Sequence, residues 1–186
     1  LMCGFVGFID ENDQTYDHRA AIVAMTDAIA HRGPDSEGYF EDGRAALGFR
    51  RLAIIDLAGA NQPLYNENRS LVNGEIYNYR ELRRQLIAAG HAFSTQGDAE
   101  VVLHGFERWG AGVLDRLRGM FAFALYDTAT GELFCARDAF GIKPLYYAVE
   151  GGRILFGSEI KGLLAHPHAR RSLNERWLAH WLCMEY

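Results

Sequence analysis

An α+β fold, with antiparallel sheets and helices packed outside them, is what this sequence predicts. Three observations carry that reading. Strand-like segments come first, helices follow, and strands return; the strands of the second half are joined by hairpin-length connections; and turn signals rather than helical crossovers separate them. A parallel doubly wound sheet needs a helix between successive strands, and the second half has no room for one.

The elements follow in order. Residues 3–10 alternate apolar residues with glycines and read as a buried strand, followed by a polar turn over 11–17. Residues 18–31 carry a dense run of helix formers, ended by Arg32-Gly33-Pro34-Asp35, where Gly33 suits the C-terminal cap and Pro34 cannot continue the ladder. Short β-rich pieces at 38–40, 45–49 and 51–56, broken by Asp42-Gly43, read as neighbouring strands. A helix over 79–89 is closed by Gly90, and a second over 99–109 is closed by Gly110, with Asp98 near its start. Strands at 120–127, 132–137, 145–149 and 154–156 are joined by turns such as Thr130-Gly131 and Gly151-Gly152. Helices over 159–164 and 174–186 complete the chain. The last is amphipathic through Trp177, Leu178, Trp181 and Leu182, a face that suits docking to a following domain and equally packing on its own core.

The 186 residues, 49% hydrophobic and 23% charged, suffice for one well-filled core, so residues 3–186 are read as one domain, with Leu1 and Met2 as leader residues. A net charge of −5 and the lack of a basic stripe argue against sequence-independent nucleic-acid binding. No apolar run is long enough for a membrane span, and the first residues do not have the layout of a signal peptide. Three widely spaced cysteines without zinc-ligand spacing point to a reducing cytoplasm and to no metal site.

Cys3 is the candidate for chemistry. If Met2 is the initiator and is removed, Cys3 carries a thiol and a free α-amino group together. With reference pKa values of about 8 for the amine and about 8.5 for the thiol, one can take the other's proton near neutral pH. The alternative is a small, inert cysteine at the start of a strand. A thiolate attacking a carboxamide needs donors for the tetrahedral oxyanion and groups that fix the substrate. Asn73-Gly74 can offer a side-chain amide and a backbone N–H, and is also a common hairpin turn. Arg51 can clamp a carboxylate or simply end a strand; Asp98 can bind an ammonium or cap a helix. Together these groups match the carboxylate, ammonium and carboxamide of an amino acid such as glutamine. His31, the Arg137-Asp138 pair, His166-Pro167-His168 and Ser158-Glu159 read as structural, Ser158-Glu159 as a helix cap.

With these segments in order, the chain resembles the class II glutamine amidotransferases, and within them the glutaminase half of asparagine synthetases. The resemblance runs from Met2-Cys3-Gly4 through His31-Arg32-Gly33-Pro34-Asp35, Arg51-Leu52-Ala53-Ile54-Ile55-Asp56, Gln62-Pro63-Leu64, Asn73-Gly74-Glu75-Ile76-Tyr77-Asn78 and Gly97-Asp98-Ala99-Glu100-Val101. It continues through Gly119-Met120-Phe121-Ala122-Phe123-Ala124, Arg137-Asp138 and Gly157-Ser158-Glu159. It implies the N-terminal-nucleophile hydrolase fold, an αββα sandwich of two antiparallel sheets between helical layers. It also implies the reaction: Cys3 attacks the glutamine side chain, its α-amino group relays the proton, ammonia leaves, and water resolves the glutamyl thioester. By the same resemblance Asn73 and Gly74 form the oxyanion hole, Arg51 holds the α-carboxylate, Glu75 and Asp98 hold the α-ammonium, and backbone of Leu52, Ala53, Ile54 and Ile55 lines the site.

The partners implied are glutamine as substrate and a C-terminal synthetase domain of a longer chain, with a homodimer as one assembly. No cofactor is expected for this domain; ATP and Mg belong to the synthetase domain, whose Ser-Gly-Gly-x-Asp-Ser kind of signature does not occur in these residues. Two departures stand out. Leu1 and Met2 precede Cys3, and an acylated nitrogen is not a base. The apolar strand expected before Asn73 reads as shortened to Leu71-Val72. The alternatives are a non-catalytic glutamine-binding or assembly module, and a glutaminase serving a synthetase with a different acceptor.

Overall fold

The computed structural model describes residues 2–10, 15–53, 61–65 and 68–183, with 68–73 described through the backbone. Among the described residues, nine strands form two antiparallel sheets. The first has the order β2-β3-β1-β9-β8, built from β1 (Gly4–Asp10), β2 (Ser36–Glu41), β3 (Ala45–Arg51), β8 (Tyr146–Glu150) and β9 (Arg153–Gly157). The second has the order β4-β5-β6-β7, from β4 (Leu64–Tyr65), β5 (Asn68–Ile76), β6 (Gly119–Asp127) and β7 (Leu133–Arg137).

Side-chain alternation sorts the core into layers. Phe5 and Ile9 of β1, Leu47 and Phe49 of β3 and Phe156 of β9 meet Ala122, Ala124 and Tyr126 of β6 between the sheets. Val6 and Phe8 point the other way, onto α1 (His18–Asp27) and α4 (Ile160–Leu164), against Ile22, Met25 and Leu163. Phe121, Phe123 and Leu125 point outward from β6 onto α2 (Tyr79–Ala88) and α3 (Glu100–Trp109). The result is an αββα sandwich. It explains why residues 4–10 show no apolar–polar alternation: β1 is the central strand of its sheet, and both of its faces are buried. α5 (Glu175–Cys183) buries none of its residues, so of the two readings open for it, packing on its own core is not realised.

Four expectations change. The helix over 18–31 stops at Asp27 and gives way to a 3₁₀ turn, Ala30–Arg32. Gly33 is not a left-handed cap, its φ being −142°; it is needed because a Cβ would strike the Arg50–Arg51 backbone, against which Pro34 forms a bridge. The strand read over 51–56 is the end of β3 at Arg51; residues 54–56 lie outside the described residues. β5 was the strand that periodicity did not show. It runs nine residues and pairs with β6 along its whole length, from Asn68 opposite Asp127 to Ile76 opposite Gly119. The strand before Asn73 is therefore not trimmed to Leu71-Val72, and Asn73-Gly74 is mid-strand rather than a hairpin turn.

Candidate active site

Cys3 immediately precedes β1, at one end of the space between the sheets, and is half-buried. The close approach of Arg32 makes its neighbour glycine: a Cβ on Gly4 would lie 2.7 Å from Arg32 Cδ. Arg32 Nε donates to the Cys3 carbonyl at 3.0 Å, and Arg32 Nη1 reaches Glu159 at 2.9 Å. One residue further on, Phe5 N–H donates to Ser158 Oγ at 3.0 Å and the Phe5 carbonyl accepts from Ser158 N–H at 2.8 Å. Ser158 therefore fixes the strand that carries Cys3; α4 has no side-chain cap, which corrects the reading of Ser158-Glu159 as a helix cap.

The thiol meets the Leu52 backbone on both counts, accepting from Leu52 N–H at 3.2 Å and facing the Leu52 carbonyl at 3.3 Å. Burial pushes the Cys3 thiol up, opposed by the Leu52 N–H and by the positive charges of Arg51 and Lys143. Arg51 is buried at the end of β3, where its Nη1 donates to Asn61 Oδ1 at 3.2 Å. Ala53 N–H donates to Asp35 Oδ2 at 2.8 Å, and Asp35 N–H donates to the Arg51 carbonyl at 3.1 Å. The His31–Asp35 segment thus grips both Cys3 and the 51–53 backbone. Ile54 and Ile55 lie outside the described residues.

A second group of predicted residues gathers on β5, which packs across on β1. Asn73, described through its backbone, stands opposite Ala122, Gly74 opposite Phe121 and Glu75 opposite Met120. Gly74 has φ +147°, and a Cβ there would run into the Met120 carbonyl oxygen, so only glycine lets β5 and β6 pair at this point. Asp98 does not cap α3, which starts without a side-chain cap; its Oδ2 accepts from Ile76 N–H at 2.8 Å, tying it to the end of β5. Burial raises its pKa and the half-buried Glu75 adds its own negative charge, against the Ile76 N–H. A buried carboxylate with a second carboxylate beside it forms a setting for a cation.

Other singled-out residues lie elsewhere. The His31 ring sits 3.0 Å from Glu159 and 3.3 Å from Lys161, and His166 bonds Tyr16 at 3.0 Å with burial pushing its pKa down to about 4. His91, His104 and Glu107 have ligand atoms within 4.8 Å of one another, on α3 and the loop before it. His104 is already engaged there by Glu107 at 3.0 Å and by Glu100 at 3.5 Å. Sequence reasoning missed Asp35, Asn61 and Lys143 at the site, and Arg32 as more than a helix terminator. Asp35 and Arg32 were within reach, since their motif had been noted; Asn61 and Lys143 carry no local signal.

Among known proteins, residues 2–186 match the family described as glutamine amidotransferase domain. The glutamine-hydrolysing asparagine synthetase 1 of Bacillus subtilis (strain 168) is 46% identical over 168 residues, 88% of this chain and 27% of that protein. Asparagine synthetase 3 of the same organism is 38% identical over 183 residues, 96% of this chain and 30% of that protein. The chain thus spans less than a third of the length of these curated relatives. A solved glutamine phosphoribosylpyrophosphate amidotransferase from B. subtilis, complexed with ADP and GMP, superposes with TM-score 0.72 at 22% identity, over 88% of this chain and 43% of the other. A structure of the allosteric regulatory enzyme of purine biosynthesis gives 0.74 at 22% identity, with the same coverage. At that identity the likeness is one of fold.

Proposed function

From the premise that the chain belongs to the glutamine amidotransferase domain family and has the N-terminal-nucleophile hydrolase fold, we propose that Cys3 is its nucleophile once Cys3 is the first residue. The α-amine takes the thiol proton; the thiolate attacks the side-chain carbonyl carbon of glutamine, and the negative charge moves to that oxygen. Asn73 and the Gly74 N–H donate hydrogen bonds to this oxyanion. As the C–N bond breaks, the amine hands its proton to the leaving ammonia, and a glutamyl thioester remains. Water adds to the thioester through the same base, releasing glutamate and restoring the thiol.

Arg51 holds the substrate α-carboxylate, a bidentate task that suits a guanidinium. Glu75 and Asp98 hold the α-ammonium, and the backbone of Leu52 and Ala53 lines the cleft. The thiol, the amine and the amide donors supply every step, so the chemistry proposed for this domain calls on no cofactor. The single observation that carries the reading is the placement of Cys3: its thiol is held by the Leu52 N–H beside Arg51, at the mouth of the space that β5 closes from the other side.

The acceptor of the ammonia lies with the rest of a longer protein. Its relatives' names and lengths favour an asparagine synthetase domain, for which we propose dependence on ATP and Mg and a place in the cytoplasm. The uncovered Trp177, Trp181 and Leu182 of α5 offer a face on which such a domain can dock. No described helix is long and apolar enough to cross a membrane. The test is a glutaminase assay on protein beginning at Cys3, beside Cys3→Ala and beside protein that retains Met2. Glutamate release is expected only from the first; equal rates in the first two overturn the assignment.

A further inference from the structure

Lys143 lies between β7 and β8 and is 4% exposed. Its backbone is held at both ends by the Arg137–Asp138 pair: its N–H donates to Asp138 Oδ2 at 3.0 Å, and its carbonyl accepts from Arg137 Nε at 2.6 Å. Asp138 also accepts N–H groups from Phe140 at 3.1 Å, from Ile142 at 3.0 Å and, on β6, from Phe121 at 3.2 Å. A loop tied in this way presents one buried ammonium. The group it meets is Met2 Sδ, 2.8 Å from Nζ. A thioether is a weak acceptor and poorly offsets the burial of a charge. Among the described residues no carboxylate pairs with Lys143.

Met2 is joined to the Cys3 nitrogen, so its departure removes the thioether that the Lys143 ammonium meets and leaves that ammonium acting on Cys3, whose thiol it already draws down. A fixed cation favours a nearby anion and disfavours a second cation. We propose that Lys143 is a positioning residue for charge, whose ammonium favours the thiolate and the neutral amine of Cys3 together over the thiol and the α-ammonium. The proposal rests on the reading of Cys3 as N-terminal nucleophile. Its sign suits that reading, because the amine must be neutral before it can take the thiol's proton, and the thiol must yield that proton to attack.

The other charged groups around Cys3 have other engagements. Arg32, from the 3₁₀ turn, is engaged by the Cys3 carbonyl and Glu159. Arg51, from β3, is neutralised by the substrate carboxylate on the proposed reading, and Glu75 of β5 with Asp98 before α3 by the substrate ammonium. Among the described residues, Lys143 is a cation that still acts on the thiol when glutamine is bound, and it already counts among the charges that pull the thiol down.

The test measures, on chains beginning at Cys3, the rate of iodoacetamide modification of Cys3 as a function of pH, read at the Cys3 peptide by mass spectrometry. The kcat/KM profile for glutamine accompanies it. Lys143→Met and Lys143→Gln are expected to move the acid limb of both profiles up by about one pH unit, an approximately tenfold slower modification at neutral pH, while Lys143→Arg stays near the parent. Exchange of an unpaired buried ammonium for an apolar side chain of similar length is compatible with folding. An unmoved limb, at whatever absolute rate, reduces Lys143 to a loop residue and overturns the proposal, as does failure of both neutral variants to fold. The underlying reading fails separately, if Cys3→Ala keeps the parent's glutaminase rate.

Discussion

Asp98 is buried where its charge is unwelcome, 9% exposed and bonded through Oδ2 to the Ile76 N–H. Burial, then the charge of Glu75, raise its pKa above the ordinary aspartate value. A carboxyl whose folded pKa is raised holds its proton more tightly folded than unfolded. Its contribution to stability is therefore greatest below the unfolded value, about 3.9, and declines as pH rises toward the raised folded value. Asp98→Asn keeps an oxygen for Ile76 and removes the charge. The variant is expected to melt above the parent at neutral pH, with the gain shrinking on acidification. Its kcat/KM for glutamine should fall about 10- to 100-fold, the loss of a hydrogen bond to a charged group of about 1.5–3 kcal/mol. Unchanged kcat/KM would remove Asp98 from ammonium binding, and a lower Tm would show that the buried charge is already compensated. At this scale Cys3, Arg51 and Asp98 were legible because each puts reactive or charged chemistry at the border of an apolar segment. Lys143 was not, since what it faces lies 141 residues away in the chain.

β5 shows why an element can be missed where function is dense. Of its nine residues, Asn-Arg-Ser-Leu-Val-Asn-Gly-Glu-Ile, only three are aliphatic, because the strand gives most of its second half to Asn73, Gly74 and Glu75. The period-2 signal that marked other strands is diluted there, and pairing with β6 supplies what the pattern lacks. The His31–Asp35 segment was legible as the end of a helix but not as a clamp, because Asp35 finds Ala53 only after β3 has folded back beside it. Gly74 belongs to this scale. At φ +147° and against the Met120 carbonyl, Gly74→Ala must push β5 away from β6 and carry Asn73 and the 74 N–H with it. Backbone strain of this kind costs on the order of 1–3 kcal/mol. Glutaminase activity is expected to fall at least 100-fold, the scale of losing one oxyanion donor, while circular dichroism still reports both sheets. Activity within threefold of the parent would show that the oxyanion is held elsewhere.

Across the whole molecule, three apolar layers hold the sandwich together, and α5 contributes to none of them. Sequence patterning left this helix two fates because amphipathicity says that a face seeks a partner without saying which partner. Here Trp177 is 70% exposed, Trp181 63% and Leu182 63%. Its nine residues are fewer than the about 12–15 at which an isolated helix becomes even marginal in water. Local support comes from Asn174, whose Oδ1 accepts from Trp177 N–H at 3.2 Å and whose carbonyl accepts from Leu178 N–H at 2.9 Å. Stability therefore resides in the layers before it, as does every group proposed to act on glutamine. A chain running from Cys3 to Ser172 should unfold within about 2 °C of the chain that runs to Tyr186, since surface changes cost about 0.5 kcal/mol or less. It should hydrolyse glutamine at the same rate and, having lost the exposed apolar side chains of Leu173, Trp177, Trp181 and Leu182, remain soluble to higher concentration. Thermal melts of the two chains decide the matter: a fall of more than about 5 °C on truncation would mean that α5 lies against the sandwich in solution, with its tryptophans covered.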